Sequence, residues 1–166
     1  MRVTAAEMRA MRIKSLERKR ARKAKGAVLW KKSRVRSARS IIVAKLDNMF
    51  SLFIRIRDKK KFNGMCPFCS KRPIECCFHV ITRAKYAVRW DPRNAVGSCH
   101  ACNYRNEYDP HSFVAWYIKQ NGVAAFKNLV LDSNLVSKRS NEDLLDLLGE
   151  MRSAIERGVE WTSKSA

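Results

Sequence analysis

Apolar residues recur at steps of three and four between positions 41 and 58, which is the spacing of one face of an α-helix. This stretch reads IIVAKLDNMFSLFIRIRD, and the basic run at 59–61 before Asn63 and Gly64 predicts the end of the helix. A second helix is predicted from Asp109, a suitable N-cap, with Pro110 in its first turn and Gly122 as its stop.

A last helix is predicted near the end of the chain. Ser140 is followed three residues later by Asp143, the arrangement of a capping box. The apolar stripe behind this start is too broad to stay in water, so we expect either the rest of the domain or a second copy of the chain to cover it. A second copy would make a homodimer. The stripe consists of Leu144, Leu145, Leu147, Leu148, Met151 and Ile155.

The middle of the chain changes its pattern from helical to β-prone. The segment IECCFHVITRA favours a strand, AKYAVRWDPRNAVGS mixes strand and turn residues, and CHACNYRNE begins a short helix. We therefore predict an α+β fold in which a hairpin-like segment leads into a helix. Residues 41–110 would form this core, and residues 111–166 would be C-terminal helices used for packing or dimerisation.

Charge separates the first 40 residues from the rest. The chain carries 35 Lys and Arg against 15 Asp and Glu, a formal charge of +20. Residues 1–40 hold 15 of the basic and 2 of the acidic side chains and few apolar ones, so we interpret them as a basic, partly disordered or helical DNA-binding tail. Such a balance favours nucleic acid as the partner. No apolar run approaches the roughly 18 residues of a membrane span, and we expect an intracellular protein without a membrane partner.

Four cysteines form the pattern C-x2-C-x29-C-x2-C, namely Cys66, Cys69, Cys99 and Cys102. In a reducing compartment this spacing favours metal ligands over disulfides, and four thiolates suit tetrahedral zinc. The adjacent Cys76 and Cys77 would point to opposite faces of a strand, so we expect buried packing rather than joint ligation.

Between the cysteine pairs lie His79 and Asn94, and Asn103 follows the last cysteine. His79 is either a half-buried strand histidine with a satisfied ring or a general base. The order of the three residues favours the second interpretation, because a hydrolytic metal site needs a base, an orienting amide and an oxygen ligand.

Several of these motifs occur together in one known family. The stretch LDNMFSLFIRIRDKKKFNGMCPFCSK, followed by FHVITR, VRWDPRNAVGSCHACN and YIKQNG, resembles the NinG (Rap) recombination proteins of phages, a branch of the HNH or ββα-metal endonucleases. More distantly the chain is similar to the phage endonuclease VII family. The resemblance covers about residues 45–130.

The resemblance implies a small zinc-stabilised ββα-metal domain with flanking helices. It implies a nuclease for branched DNA, such as Holliday junctions or D-loops, in the cytoplasm of a bacterium or of a phage's bacterial host. Zinc would be structural, and Mg²⁺ or Mn²⁺ would serve at the active site. His79 would be the general base, Asn94 would orient its ring and Asn103 would bind the divalent ion.

The chain departs from that family where Phe78 precedes the base, a position that is acidic or histidine in many HNH enzymes. The second metal ligand is therefore open. Asp91 is our first choice because hard ions prefer carboxylate oxygen, and Glu75, His100 and His111 are the alternatives. We predict that DNA phosphates contact Arg83, Arg89, Arg93, Arg55, Arg57, Lys59 and Lys60.

Two other functions fit the sequence. One is a non-catalytic zinc-ribbon protein that binds DNA or assists recombination, in which His79 is structural. The other is an RNA-binding or ribosome-associated zinc protein, which the charge alone allows.

Overall fold

A computed structural model of the chain describes residues 12–24, 36–159 and 161. They fall into two compact units, Met1–Ser37 and Ala38–Ala166. In the first unit residues 12–24 form helix α1, within the stretch of helix-forming composition. The rest of the predicted tail, residues 1–11 and 25–35, lies outside the described residues.

The second unit is mixed α+β, as predicted, with most of its residues in helices and two short strands. The strands are joined by a long loop that contains two short 3-10 turns, Tyr86–Val88 and Pro92–Asn94. None of the helices in the described ranges is both long enough and apolar enough to cross a membrane. In chain order the elements are α2 (Ala38–Lys61), β1 (Cys76–His79), β2 (Ala95–Ser98), α3 (His100–Arg105), α4 (Pro110–Asn121), α5 (Val123–Ser133) and α6 (Asn141–Arg157).

The predicted helix boundaries are confirmed at three capping sites. The Asp109 side chain accepts a hydrogen bond from the Ser112 N–H and caps α4. Ser140 and Asp143 exchange hydrogen bonds in a complete capping box at the start of α6. Gly122 ends α4 with a φ of 87°, a conformation that strongly favours glycine. Local sequence signals therefore placed these ends correctly.

Helices α2 and α6 pack against each other and form the largest apolar core. The leucine-rich stripe of α6 is thus covered by its own domain, which is one of the two predicted alternatives. Leu145 is the exception, with half of its surface exposed. The core consists of Leu46, Phe50, Phe53, Ile54, Trp90, Ala95, Leu144, Leu147, Met151, Ala154 and Trp161.

Strands β1 and β2 pair antiparallel, with Phe78 opposite Val96 and His79 opposite Ala95. Side chains alternate between the faces of a strand, and the two faces of this sheet meet different cores. Phe78 and Val96 contact the apolar cluster around the four cysteines, whereas Ala95 belongs to the α2–α6 core. His79 shares the α2 side, since its ring centroid lies 5.6 Å from that of Phe50.

Helix α2 and the Ile74 side chain approach β2 so closely that a side chain at position 97 would force them to shift. A Cβ atom added to Gly97 would lie 2.8 Å from Cγ2 of Ile74 and 3.0 Å from Cβ of Asp58. This approach lets the Asp58 carboxylate reach the Gly97 N–H at 2.6 Å. The last turns of α2 are therefore fixed directly to the sheet.

Candidate functional site

The four regularly spaced cysteines come together in space. Cys66 and Cys69 lie in the turn after α2, Cys99 caps α3, and Cys102 lies in the first turn of that helix. Their sulfur atoms are all within 4.8 Å of one another, and those of Cys69 and Cys99 are 3.9 Å apart. Because a tetrahedron of zinc–sulfur bonds of about 2.3 Å has edges of about 3.8 Å, the cluster can hold a metal ion such as zinc.

The environment of these sulfurs is apolar and protected. Phe78 and Phe113 pack in the same buried cluster. A hydrogen bond from the backbone N–H of Lys71 lowers the pKa of Cys69 to about 7, whereas burial raises the pKa of Cys66. A metal ion binds the thiolate form, so we expect binding to release protons from this cluster.

Cys76 and Cys77 do not belong to the cluster. The Cys76 thiol lies 3.2 Å from the Ser98 carbonyl oxygen and donates to it across the sheet. Burial raises the pKa of Cys77 to about 12, so its thiol stays protonated at neutral pH. Both side chains occupy packing positions, as the alternation of the strand led us to expect.

His79 lies at the end of β1, half-buried, with its Nε2 atom 3.1 Å from the Arg89 carbonyl oxygen. A carbonyl oxygen only accepts, so Nε2 carries the hydrogen and Nδ1 keeps its lone pair. Burial lowers the pKa of His79 to about 4, and the nearby positive charge of Arg83 acts in the same direction. The imidazole is therefore neutral at pH 7 and held in one tautomer.

Asn94 closes the loop between the strands and has no exposed surface. Its Oδ1 accepts from the Ile81 N–H at 2.7 Å, and its Nδ2 donates to the carbonyl oxygens of Ile81 and Val88 at 3.0 and 2.9 Å. The next carbonyl along the chain, that of Arg89, accepts from His79. Asn94 thus holds the loop whose Arg89 carbonyl accepts from His79, and the predicted orienting role of Asn94 would act through that backbone.

Asn103 and Asp91, the two residues predicted to bind a catalytic ion, lie on different elements. Asn103 follows Cys102 on α3, and within the described ranges its side chain makes no hydrogen bond. Asp91 is 5% exposed, and both of its carboxylate oxygens accept from the Arg93 guanidinium, the shortest distance being 2.6 Å. Oδ1 of Asp91 also caps the following turn by accepting the Arg93 N–H at 2.8 Å.

The alternative ligands lie elsewhere. Glu75 precedes β1, at the far end of the strand from His79, and its Oε2 accepts from the His100 N–H at 3.5 Å. His111 is exposed near the start of α4. Across residues 12–24, 36–159 and 161, the four cysteines are the only group of three or more His, Cys, Asp or Glu side chains placed to hold a metal ion. No further group of this kind, suited to Mg²⁺ or Mn²⁺, occurs in those ranges, and the catalytic ion stays a prediction.

Three of the seven cations predicted to contact phosphate are paired within the protein. Arg57 binds both oxygens of Asp58, Arg89 binds both oxygens of Asp47, and Arg93 binds Asp91. These guanidinium groups tie loops to helices. The remaining predicted cations make no ion pair in the described part of the chain, and they are Arg55, Arg83, Lys59 and Lys60.

Two aspartates that the sequence analysis did not single out organise this region. The Asp47 carboxylate accepts from Arg89 at 2.6 Å and from the Trp90 indole at 2.9 Å. Burial alone would raise the pKa of Asp47, but the Arg89 guanidinium outweighs that effect and lowers it. Asp58 is only 1% exposed. The sequence does carry a signal for Asp58, because it lies four residues after the apolar Ile54 and so on the same face of the helix.

Comparison of the chain with protein-family models, with curated proteins and with solved structures found no match in any of the three. The similarity to NinG proteins thus stays an interpretation of the quoted motifs.

Proposed function

We propose that this protein is a DNA endonuclease of the ββα-metal (HNH) type, acting on branched recombination intermediates such as Holliday junctions or D-loops. One observation carries the proposal: His79 is neutral, held by the Arg89 carbonyl, and lies at the end of a β1–β2–α3 unit that a metal-binding cysteine cluster braces. The protein would act on this DNA in the cytoplasm of a bacterium or of a phage's bacterial host.

His79 would act as the general base. Its Nδ1 lone pair accepts a proton from water, while the Nε2 bond to Arg89 fixes the ring. A pKa of about 4 keeps the base in its active neutral form at pH 7 but makes it weak. A phosphate anion bound beside it favours the protonated ring, which raises that pKa and strengthens the base when substrate is present.

Phosphate binding would rest on the unpaired cations. Arg83 is exposed, and its charge is close enough to His79 to affect the pKa of that ring. Lys59 and Lys60 are exposed at the end of α2. Together with the formal charge of +20, these side chains supply the sequence-independent attraction that positions a DNA backbone.

Zinc would be structural in this proposal. The cysteines join the turn after α2 to the start of α3, so zinc would close a long loop and contribute folding free energy. The requirement for Mg²⁺ or Mn²⁺ comes from the resemblance alone. Because the described side chains around His79 offer no uncommitted carboxylate, we assign the divalent ion no step and leave its role to experiment.

A symmetric junction would be cut by a homodimer. The stripe of α6 packs on α2, so such a dimer would use another surface.

A non-catalytic zinc protein that binds DNA is the second candidate, and a specific observation favours it. Phe78 lies where many HNH enzymes carry a ligand. Its side chain is buried, and its ring centroid lies 5.3 Å from those of Phe68 and Phe113. In this alternative His79 serves only to hold the loop through the Arg89 carbonyl.

The two candidates predict opposite results in a cleavage assay. Purified protein is incubated with a synthetic four-way junction or a matched linear duplex, in Mg²⁺, Mn²⁺ or EDTA. We expect wild type to nick the junction, and His79→Ala to lower the rate by about 10²-fold or more. His111→Ala is the matched control, because His111 is exposed and should leave the rate unchanged. Absence of nicking under every metal condition, with folding and zinc content intact, would exclude the endonuclease; equal rates for wild type and His79→Ala would exclude only the base.

A further inference from the structure

A cavity of about 860 Å³ lies beside α2, α4 and α5 and reaches the end of α6, and its described lining contains no cysteine. This volume is at the upper end of the range for small-molecule sites, about 300–1,000 Å³. It accommodates a nucleobase with its sugar and phosphate.

Aromatic side chains from three parts of the chain line the cavity. They are Phe53 on α2 and Phe62 just after it, Trp116 and Tyr117 on α4, and Trp161. Flat aromatic walls hold unstacked bases without regard to sequence, because every base has a π-face. The aromatic lining therefore suits a base that has left a duplex.

Trp161 also presents a hydrogen-bonding group that has no partner. Its side chain lines the cavity and is 7% exposed, and its buried indole N–H finds no acceptor among the described residues. An unsatisfied buried donor costs about 1–3 kcal/mol. The nitrogen itself has less than 1 Å² of accessible surface, so a ligand in the cavity reaches this donor only if the indole turns.

The charged lining residues favour an anion. Asp58 is the only carboxylate among the described lining residues, and it is neutralised by Arg57 at 2.7 Å. Lys60 and Lys61 line the cavity, are exposed and have no carboxylate partner within the described ranges. A phosphate would supply the negatively charged partner that these two ammonium groups do not have within the described ranges.

Amide side chains complete the lining. Gln120 and Asn128 make no side-chain hydrogen bond within the described part of the chain, and an amide offers both donors and an acceptor. Such groups pair with the exposed edge of a nucleobase.

We infer that this cavity binds one unstacked nucleotide of a single-stranded DNA segment, such as the unpaired strand at a branch point. The aromatic walls take the base, and Lys60 and Lys61 take its phosphate. This inference rests on the proposed DNA partner, but not on catalysis by His79.

The test fills the cavity without altering charge. Ala125 lies in the lining on α5, whereas its neighbour Ala124 is exposed outside the lining. Fluorescence anisotropy measures the affinity of Ala125→Phe and Ala124→Phe for a labelled oligothymidine and for a blunt duplex of the same length. We expect Ala125→Phe to weaken single-strand binding about 5- to 150-fold, the range for loss of one stacked base, with duplex binding unchanged within about twofold. Ala124→Phe should bind both DNAs as wild type does.

A second pair covers the case in which Ala125→Phe does not fold. Lys61→Gln removes a lining charge, and Lys119→Gln removes an exposed charge on α4 outside the lining. We expect a larger loss of single-strand affinity for Lys61→Gln. Equal losses for the two lysine variants, or single-strand binding by a folded Ala125→Phe as tight as that of wild type, would overturn the inference.

Two further outcomes separate this inference from the proposed function. Displacement of the oligothymidine by an equal concentration of thymidine monophosphate would overturn the assignment to a strand in favour of a free nucleotide. Junction cleavage without measurable single-strand binding overturns the cavity assignment alone, whereas absence of all DNA binding overturns both.

Discussion

Replacing Asp58 by alanine should destabilise the second unit strongly, because this carboxylate connects α2 to the sheet. It accepts from Nε of Arg57 at 2.7 Å, from Nη2 of the same guanidinium at 3.0 Å and from the Gly97 N–H at 2.6 Å. Arg57 in turn donates to the carbonyl oxygens of Pro92 and Ala95 at 2.8 and 2.7 Å. Loss of the carboxylate therefore leaves the Arg57 guanidinium without an ion-pair partner and the Gly97 N–H without an acceptor.

The expected cost follows from burial. Removing one partner of a buried ion pair costs about 3–5 kcal/mol. The Arg57 side chain is 28% exposed and keeps its two carbonyl partners, so we expect a loss at the lower end of this range, about 3 kcal/mol. This is a large part of the roughly 5–15 kcal/mol that stabilises an ordinary domain. Asp58→Asn should cost less, because its amide oxygen still accepts from Gly97.

Urea unfolding followed by circular dichroism, at pH 7 with zinc present, measures the change. Asp146→Ala on the exposed face of α6 is the control and should change the free energy of unfolding by less than about 0.5 kcal/mol. A loss of under about 1 kcal/mol for Asp58→Ala would refute the reasoning, since it would show that the Asp58 contacts contribute little net stability.

Three more predictions follow from the site. We expect metal analysis to find one zinc ion per chain in wild type and in Cys76→Ser but none in Cys99→Ser, because only Cys99 belongs to the four-sulfur cluster. The free energy of unfolding should fall by about 2–3 kcal/mol as the pH drops from 6.5 to 4, because the pKa of His79 is lowered to about 4 and over this range the unfolded chain binds a proton that the folded chain does not. Asn94→Ala should lower the free energy of unfolding by about 2–4 kcal/mol and speed tryptic cleavage at Arg83, because three hydrogen bonds that close the loop disappear.

Each of these has a result that contradicts it. Zinc lost equally from both cysteine variants would remove the distinction between the cluster and the packing cysteine. A His79→Gln variant with the same pH dependence as wild type would assign that dependence to other groups. Unchanged proteolysis of Asn94→Ala would show that the loop closes without the amide.

Local patterns were sufficient for much of the fold. The predicted N-caps Asp109 and Ser140 and the stop at Gly122 are confirmed, because capping depends on residues within one turn. The four cysteines met as predicted, since their spacing alone suggests a shared ion. Helix α2 begins at Ala38, three residues before the apolar pattern, because its first turn is exposed and leaves no periodic signal.

Long-range pairing was beyond the sequence. The partners of Arg89 and Arg93 include carboxylates on other elements, such as Asp47, 42 residues from Arg89. Arg57 reaches the distant carbonyl oxygens of Pro92 and Ala95. An arginine that pairs with such an aspartate has the same local pattern as one that faces phosphate, so the sequence could not separate them. The stripe of α6 posed a similar problem, because amphipathic periodicity shows that a face is covered but does not identify what covers it.

The packing of α6 on α2 sets an order for folding during synthesis. All four cysteines have been made once residue 102 is added, but the partner of α2 is complete only at Arg157, 55 residues later. At about 5–20 residues per second this interval lasts roughly 3–11 s. Throughout it the nascent chain carries an amphipathic helix whose Leu46, Phe50 and Phe53 have no cover from α6, a surface that chaperones bind and that aggregates when crowded. A ribosome stalled late in this window would therefore present all four cysteines beside an open hydrophobic face.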